Sequence, residues 1–324
     1  MAQRVDSSRL RDELVEAVKQ GDENRARGLV PRLGAGPRRI RTVLEAMLED
    51  PAALVRQAAA FALGELGGAA SARRLERQLS IEEAREDHDG VAVAEEITRA
   101  LGRINQEAAR VTLVRRLERV TAGKLERSDA DELALALWRK RHPELLHAVA
   151  RSLEQLGEPK PHALLGLLLL LERTPEQLSA WAIDPAVPVS HKTAVLTVLK
   201  DELPDEWIST LPAFITAAQA LVDEAVHGHG EAAYFCEDLL STVLLHRARL
   251  LGAMPEQARS ELRTASRSLV GAESMGCALR AAAMLKYVGQ PEDAAILDAH
   301  QPADSTFAKV FNDTAQALRG LQKN

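Results

Sequence analysis

Apolar residues recur at steps of three and four positions along most of the chain, which is the spacing of one face of an α-helix. The two-residue alternation of a half-buried β-strand is almost absent. Short clusters of glycine, proline and aspartate separate the periodic segments, as they commonly do between helices. The pattern therefore predicts an all-α protein.

The clearest segment reads DPAALVRQAAAFALGELG, from Asp50 to Gly67. Asp50 is a candidate N-cap, because its carboxylate can accept hydrogen bonds from the free N–H groups of a first helical turn. Small side chains at Ala59 and Ala62 keep the helix thin, so that a neighbouring helix can approach closely. Gly67 is expected to end the helix. A second amphipathic helix follows, with its apolar stripe at Ala72, Leu75 and Leu79.

The end of this segment recurs along the chain. Leu63-Gly64-Glu65-Leu66 returns as Leu101-Gly102-Arg103-Ile104 at a step of 38 residues, and as Leu153-Glu154-Gln155-Leu156 after another 52. Near the end of the chain, Leu285-Lys286-Tyr287-Val288 and Leu318-Arg319-Gly320-Leu321 are 33 residues apart. Steps in the thirties to fifties are typical of stacked helical repeats.

The string of Asp-Pro, Val-Arg, spaced alanines and Leu-Gly-x-Leu-Gly resembles a HEAT-like repeat, of the subtype found in phycobilisome lyases. The resemblance is good over residues 50–80, fair over 88–120 and periodic in the other copies. It implies an α-α superhelix, that is, a HEAT-like solenoid of stacked antiparallel helix pairs. In such families the Asp and Arg of the motif, here Asp50 and Arg56, often bond between neighbouring repeats. The second copy departs from the pattern, since Ala94 replaces the arginine.

The repeats suggest two stretches. A globular chain of 324 residues often splits into domains, whereas a repeat stack can extend as one body because each repeat contacts only its neighbours. We expect N-terminal HEAT-like repeats over residues 1–175 and C-terminal helical repeats over 176–324. Residues 204–270 contain three prolines that are expected to begin helices, and this segment departs from the repeat.

Charge divides unevenly between the halves of the chain. The first half contains 28 Lys and Arg against 27 Asp and Glu, a net of +1, and the second contains 13 against 20, a net of −7, which sum to −6. Residues 24–44 contain six arginines and no acid, among them Arg38, Arg39 and Arg41. Such a stretch can bind phosphates or an acidic protein surface, or it can be a solvated turn between repeats.

Arginines also recur on the second helices of the first two repeats, at a step of 42 residues. We predict that these side chains, together with Arg38, Arg39 and Arg41, contact a protein partner. The competing interpretation is a solvated outer face. The recurring residues are Arg73, Arg74 and Arg77 in the first repeat, and Arg115, Arg116 and Arg119 in the second.

Two histidines invite a metal hypothesis. His227 and His229 lie among glycines with Glu231 following, and a His-x-His pair can chelate a divalent ion. The spacing matches no zinc motif, so these are weak candidates, and a polar loop between helices is the alternative. We therefore expect neither a metal nor another cofactor.

Function is expected to be non-catalytic, because the sequence contains no nucleophile elbow, P-loop or dinucleotide-binding glycine motif. The first hypothesis is an interaction scaffold or adaptor that binds a protein partner in the groove of a helical solenoid. The alternative is a nucleic-acid-binding or DNA-repair protein similar to the alkylpurine glycosylases. In that class the aromatic side chains would stack on bases, whereas in the first they would fill the core; they are Trp138, Trp181 and Trp207. A chromophore lyase or chaperone is a third possibility, suggested by the repeat subtype alone.

Location is expected to be cytoplasmic. The charged N-terminal segment does not resemble a secretory signal, and the longest apolar run, residues 163–171, is too short for a membrane span of about 20 residues. Cys236 and Cys277 form no disulfide framework and are expected to be buried thiols.

Overall fold

The computed structural model describes residues 7–85, 87–228 and 230–321 of the chain. Within these ranges the regular secondary structure consists of α-helices and short 3-10 helices, and no strand occurs. The prediction of an all-α protein is confirmed. No helix in the described ranges is both long and apolar enough to cross a membrane.

The chain forms two compact units, Met1–Leu164 and Leu165–Asn324. The boundary between them falls inside α10 (His162–Leu171). The sequence predicts a boundary between groups of repeats after residue 175. The compact units are defined by contacts and do not test that boundary, which stays a prediction.

Helices of the first unit contact one another in an alternating order. α4 contacts α6, which contacts α8, while α5 contacts α7, which contacts α9. Consecutive helices such as α5 and α6 also contact, so the helices sort into two layers. The helices are α1 (Ser7–Lys19), α2 (Glu23–Leu29), α3 (Pro37–Met47), α4 (Ala53–Leu66), α5 (Gly68–Glu83), α6 (His88–Arg103), α7 (Glu107–Thr121), α8 (Asp129–Trp138) and α9 (Leu145–Leu156), with a 3-10 turn at Val30–Arg32.

The glycine of the Leu-Gly-x-Leu motif lies where two helices of one layer come close together. A Cβ atom on Gly64 of α4 would lie 2.9 Å from Cα of Ala100 in α6. In the same way, a Cβ atom on Gly102 of α6 would lie 3.1 Å from Cα of Ala136 in α8. Since the nearest atoms include backbone, a larger residue would push the helices apart. The repeated motif is therefore a packing motif that supplies a glycine to the next helix.

The start of α4 differs from the prediction, whereas its end agrees with it. Asp50 is not the N-cap, because the helix begins at Ala53 and Ala52 occupies the capping position without a side-chain hydrogen bond. Instead, Asp50 Oδ1 accepts a hydrogen bond from the backbone N–H of Ala52 at 2.9 Å, which is the local turn that aspartate favours. Gly67 ends the helix as predicted, with φ of +66°, a conformation that suits glycine.

The second unit repeats the alternating order of contacts. α11 contacts α13, which contacts α15, while α12 contacts α14, α14 contacts α16 and α16 contacts α18. The helices are α11 (Pro175–Ile183), α12 (Val189–Asp201), α13 (Leu211–Val226), α14 (Glu231–Ala253), α15 (Glu256–Leu269), α16 (Met275–Val288), α17 (Ala294–Ala299) and α18 (Ser305–Gly320), with 3-10 turns at Asp205–Thr210 and Pro291–Asp293.

Residues 204–270 keep this contact order although their sequence departs from the repeat. The three prolines stand at helix starts as predicted: Pro204 precedes a 3-10 helix, Pro212 lies in the first turn of α13, and Pro255 precedes α15. What distinguishes the segment is the inserted 3-10 helix and the length of α14, which has 23 residues. The irregularity is therefore one of element length.

Large and sulfur-containing side chains fill the core. Trp138 is 1% exposed and Trp207 is 6% exposed, so both are buried, while Trp181 is half-buried. Cys236 and Cys277 are buried thiols, as predicted. Burial is the main cause that raises the pKa of both, that of Cys277 to about 12, so neither is an activated nucleophile.

Candidate partner-binding surface

One arginine of the first unit is almost completely buried. Arg56 of α4 donates from Nε and Nη2 to the carboxylate of Glu82 in α5, at 2.8 and 3.1 Å. Its Nη1 donates to the backbone oxygens of Asp50 and Pro51, at 3.0 and 2.9 Å. The pair links the two helices of the first repeat. All three guanidinium nitrogens donate hydrogen bonds in the interior.

Asp50 therefore does not bond Arg56 through its side chain, as the HEAT-like resemblance implies for its motif. The carboxylate of Asp50 pairs with Arg11 of α1 instead. An aspartate–arginine bond does link α1 to the start of α4, but the arginine comes from outside the motif. All three nitrogens of Arg56 already have other acceptors, since Glu82 accepts from Nε and Nη2 and the backbone oxygens of Asp50 and Pro51 accept from Nη1.

Arg74, predicted to contact a partner, is buried and belongs to the same network. Its Nη1 donates to Gln78 at 3.1 Å and its Nη2 to Glu49 at 3.2 Å. Gln78 in turn donates to Glu82 at 2.6 Å. Arg74 therefore links α5 to the end of α3 and is not presented to a partner.

Arg116 of α7 is buried in an equivalent way. It donates to Glu83 at 2.9 Å, to the hydroxyl of Thr98 at 2.6 Å and to Asp129 at 3.3 Å. These partners lie in or beside α5, α6 and α8, so one side chain joins four helices. The prediction that Arg74 and Arg116 contact a partner is corrected, because both side chains are buried and bonded to other residues of the chain.

The neighbouring arginines of α7 are more exposed but still paired. Arg115 lies 3.2 Å from Glu76 of α5, and Arg119 lies 2.8 Å from Glu83 of the same helix. Both bonds connect successive helices of one layer. The Arg115–Glu76 pair is solvent-facing and contributes about 0–1 kcal/mol, whereas the Arg119–Glu83 pair is part-buried.

A third group of arginines is not tied to any carboxylate. Arg73 and Arg77 of α5 are exposed, one turn apart, and pair with no acid among the described residues. Arg38 and Arg39 of α3 are exposed and equally without an acidic partner in that part of the chain. Arg41 is half-buried, and its Nε is a buried donor without an acceptor there.

The division is systematic over described residues 7–121. Twelve arginines pair with a carboxylate, and seven do not; the unpaired ones lie on α2, on the 3-10 turn after it, on α3 or on α5. We call these seven the unpaired arginines. The paired set is Arg9, Arg11, Arg27, Arg56, Arg74, Arg85, Arg99, Arg103, Arg110, Arg115, Arg116 and Arg119. The unpaired set is Arg25, Arg32, Arg38, Arg39, Arg41, Arg73 and Arg77.

The unpaired arginines lie on several elements of the first unit. Arg74 of α5 reaches Glu49, two residues beyond the end of α3. α5 therefore lies beside the end of α3, whereas Arg38, Arg39 and Arg41 lie in the first turns of that helix. Each arginine of α7, in contrast, pairs with an acid.

Sequence reasoning did not separate Arg73 from Arg74. The distinguishing signal is a polar ladder at four-residue steps, Arg74, Gln78 and Glu82, which runs beside the apolar stripe of α5. Polar residues at core-facing positions must bond one another, since an unpaired buried polar group is costly. Arg73 and Arg77 lie one position away from this ladder and face water.

A cavity of about 470 Å³ lies at the other end of α5, between α6, α7 and the loop before α8. Most of the carboxylates in its wall are consumed by ion pairs with Arg56 and Arg116. Its acidic character makes it unsuitable for anions. The charged residues of its lining are Glu82, Glu83, Glu95, Arg116, Lys124, Glu126 and Asp129.

The described residues form no metal site around the two histidines. His227 is exposed at the end of α13, and His229 lies outside the described residues. Among the residues that are described, no cluster of three or more His, Cys, Asp or Glu side chains could hold a metal ion. The histidine pair itself stays a prediction.

Comparison with known proteins shows no family. No protein-family model matches the chain, and no curated protein is similar to it in sequence. Among solved structures, the crystal structure of an engineered protein from the Northeast Structural Genomics Consortium is similar over 97% of this chain and 99% of that chain, at 16% identity and a TM-score of 0.29. A likeness this distant carries no argument about fold or function.

Proposed function

We propose that the chain is a non-catalytic interaction scaffold with HEAT-like repeats, which binds a protein partner on the first unit. The alternating helix contacts support a solenoid, because helices within α4–α9 and within α11–α16 pack on the helix two places along. The glycine-to-alanine approaches at Gly64 and Gly102 support a repeated geometry. A location in the cytoplasm, where buried thiols stay reduced, belongs to the same proposal.

One observation carries the docking surface: within described residues 7–121, the arginines without a carboxylate partner lie on α2, on the turn Val30–Arg32, on α3 and on α5. The other arginines of this range pair with acids. A folded surface that neutralises most of its arginines and leaves one group unmatched fits a complementary, acidic partner. Exposed Arg73 and Arg77 are the residues on which we place the contact.

A protein partner fits better than a nucleic acid. The chain carries a net charge of −6, and the acid-lined cavity lies on the same unit as the arginines. Long polyanions would meet repulsion around a small basic area, whereas an acidic protein segment needs only local complementarity. Glycosylase-like base stacking finds little support, since Trp138 and Trp207 are buried. The chromophore-lyase hypothesis has no further support beyond the repeat subtype.

Affinity capture from native extract tests the scaffold proposal. The full-length chain is immobilised beside Arg73→Glu/Arg77→Glu, and the retained proteins are identified by mass spectrometry. We expect a defined partner that the wild type retains and the variant loses. A matched control is Arg115→Glu/Glu76→Arg, which reverses the ion pair at 3.2 Å but preserves its attraction.

The outcomes separate clearly. Loss of the partner in the Arg73/Arg77 variant but not in the exchanged pair supports docking on α5. Equal retention by all three proteins contradicts that surface. Binding of duplex DNA at low salt, with affinity that falls steeply as salt rises, would instead favour the nucleic-acid alternative.

A further inference from the structure

Four arginines at the start of α3 and just before it have no acidic partner among the described residues. Arg32 ends the 3-10 turn Val30–Arg32, and Arg38, Arg39 and Arg41 occupy the first turns of α3. None of the four pairs with a carboxylate among the described residues. We call these residues the α3 arginine cluster.

A tight loop holds the cluster together. A Cβ atom on Gly34 would lie 3.1 Å from Cβ of Arg39 and 3.1 Å from the backbone nitrogen of Ile40, so the loop folds back on the first turn of α3. Arg32 is two residues from Gly34, which places its backbone within about 7 Å of that contact. Arg38 and Arg41 are three residues apart and share one face of the helix. The loop thus holds Arg32 close to α3.

The electrostatics of α3 oppose this arrangement unless an anion is present. Arg38 and Arg39 lie in the first turn, where the helix dipole is positive, and the turn contains no acidic residue. Gly36 occupies the N-cap position and provides no side-chain hydrogen bond. The arginines of the first turns therefore add to the positive potential of the helix N-terminus, which favours a bound anion.

We infer that the α3 arginine cluster binds a phosphate group carried by a protein segment, such as a phosphorylated serine or threonine. A phosphate presents three acceptor oxygens and close to two negative charges, so it can bond several guanidinium groups at once. A single carboxylate offers two oxygens and one charge and would leave most of the cluster uncompensated. This inference rests on the proposed scaffold function and specifies the chemistry of the partner.

Fluorescence anisotropy tests the inference with a labelled phosphoserine peptide and its unphosphorylated form, at one fixed salt concentration. We expect the phosphopeptide to bind the full-length chain and the unphosphorylated peptide to bind at least tenfold more weakly, as loss of a charged hydrogen bond implies (about 1.5–3 kcal/mol). Arg38→Gln/Arg39→Gln should remove this preference. Arg9→Gln/Arg115→Gln is the matched control, with the same charge change at exposed arginines that pair with acids, and should keep it.

Three results would overturn the inference. The first is equal binding of the two peptides. The second is a preference that survives in Arg38→Gln/Arg39→Gln while circular dichroism and thermal melting show that the variant is folded. The third is a single-stranded oligonucleotide that binds through the same residues much more tightly than the phosphopeptide, which would assign the cluster to nucleic acid.

Phosphatase treatment of the extract separates this inference from the scaffold proposal. If the partner is still captured after treatment, and is still lost with Arg73→Glu/Arg77→Glu, the scaffold stands and the phosphate inference fails. If no partner is captured from either extract, the scaffold proposal itself fails. If capture from treated extract disappears, both are supported.

Discussion

The two units of the chain use the same order of helix contacts but different chemistry to hold the helices together. Buried charges in the first unit are numerous and mutual, since Arg56, Arg74 and Arg116 meet acids of neighbouring helices. In the second unit, buried charge is sparse. Lys192 donates to the backbone oxygen of Asp184 at 2.9 Å, and Asp293 accepts from Arg263 at 2.7 Å.

This difference shows in which unit an unpaired charge can indicate a binding surface. The second half of the chain is simply acidic, with a net of −7, and its surface charge needs no special explanation. The first half is nearly neutral, and most arginines of residues 7–121 pair with acids that lie on other helices or nearby in sequence. The arginines without an acid lie on α2, the turn after it, α3 and α5, and we interpret the exposed ones as a binding surface.

The buried Arg56–Glu82 pair provides the strongest way to break the first unit. Arg56→Met leaves the fully buried carboxylate of Glu82 without its fork of donors, so we expect the free energy of unfolding to fall by about 3–5 kcal/mol. Urea denaturation measures this loss. Arg56→Met/Glu82→Leu should recover most of it, since a well-packed apolar pair can replace a buried ion pair. If the double variant is as unstable as Arg56→Met, an apolar pair cannot replace the ion pair, and this expectation is contradicted.

Asp293 is the corresponding point in the second unit. It is 0% exposed and accepts from Arg263 at 2.7 and 3.0 Å and from the backbone N–H of Gln290 at 2.8 Å. Asp293→Asn should cost about 1.5–3 kcal/mol, because bonds to a charged group are replaced by weaker ones. Thermal melting at neutral pH measures the loss, with exposed Asp298→Asn as the control.

The pH dependence of the same residue sharpens the comparison. Burial alone would raise the pKa of Asp293, but the hydrogen bonds from Arg263 and Gln290 outweigh burial and lower it. Because this pKa is lowered in the folded state, ionised Asp293 stabilises the fold at pH values above the unfolded-state pKa of about 3.9. That stabilisation is lost as the pH falls through the pKa of the folded state. Wild type should lose more stability than Asp293→Asn on acidification below about pH 4. Parallel curves for the two proteins would contradict this assignment.

The glycine approach at Gly102 tests the packing that the first unit repeats. Gly102→Ala places a Cβ 3.1 Å from Cα of Ala136, so we expect a loss of about 1–3 kcal/mol from overpacking. Gly28→Ala in α2 is the matched control, since its Cβ would meet nothing within 4 Å and the change should be neutral or stabilising. Equal changes in the free energy of unfolding for the two variants would contradict a packing role for the glycine of the motif. Both are read from urea denaturation.

The smallest expected effect concerns the exposed ties of α7. Arg115→Ala breaks a bond to Glu76 between side chains that are 63% and 36% exposed, so the free energy of unfolding should change by about 1 kcal/mol or less. Differential scanning calorimetry checks this. A loss comparable to that of Arg56→Met would mean that the outer ion pairs, and not the buried ones, hold the layers together.

Much of the fold could be predicted from the sequence because helical periodicity is local. The stripe of Ala72, Leu75 and Leu79 is buried, and Gly67 ends α4 with a positive φ. The start of that helix could not be predicted from residue type alone. Asp50 can serve either as a cap or as the acceptor of a local turn, and its pairing with Arg11 depends on a distant helix.

The candidate site was predictable in region but not in residue. Arg73 and Arg74 are adjacent and chemically identical, and their roles diverge because one faces water while the other meets Gln78 and Glu49. Which acids approach an arginine is settled by packing between helices that are far apart in sequence. Arg32, absent from the predicted residues, enters the α3 cluster only through the loop at Gly34.

The central claim is that neighbouring arginines of α5 and α7 divide into structural ties and a docking set. Partner capture measured per folded molecule, for Arg73→Glu/Arg77→Glu beside Arg74→Met/Arg116→Met, tests it most directly. The account predicts that the first variant keeps its melting temperature and loses the partner, while the second melts earlier and keeps the partner. A first variant that melts earlier but still binds, or a second that remains stable but no longer binds, would contradict it.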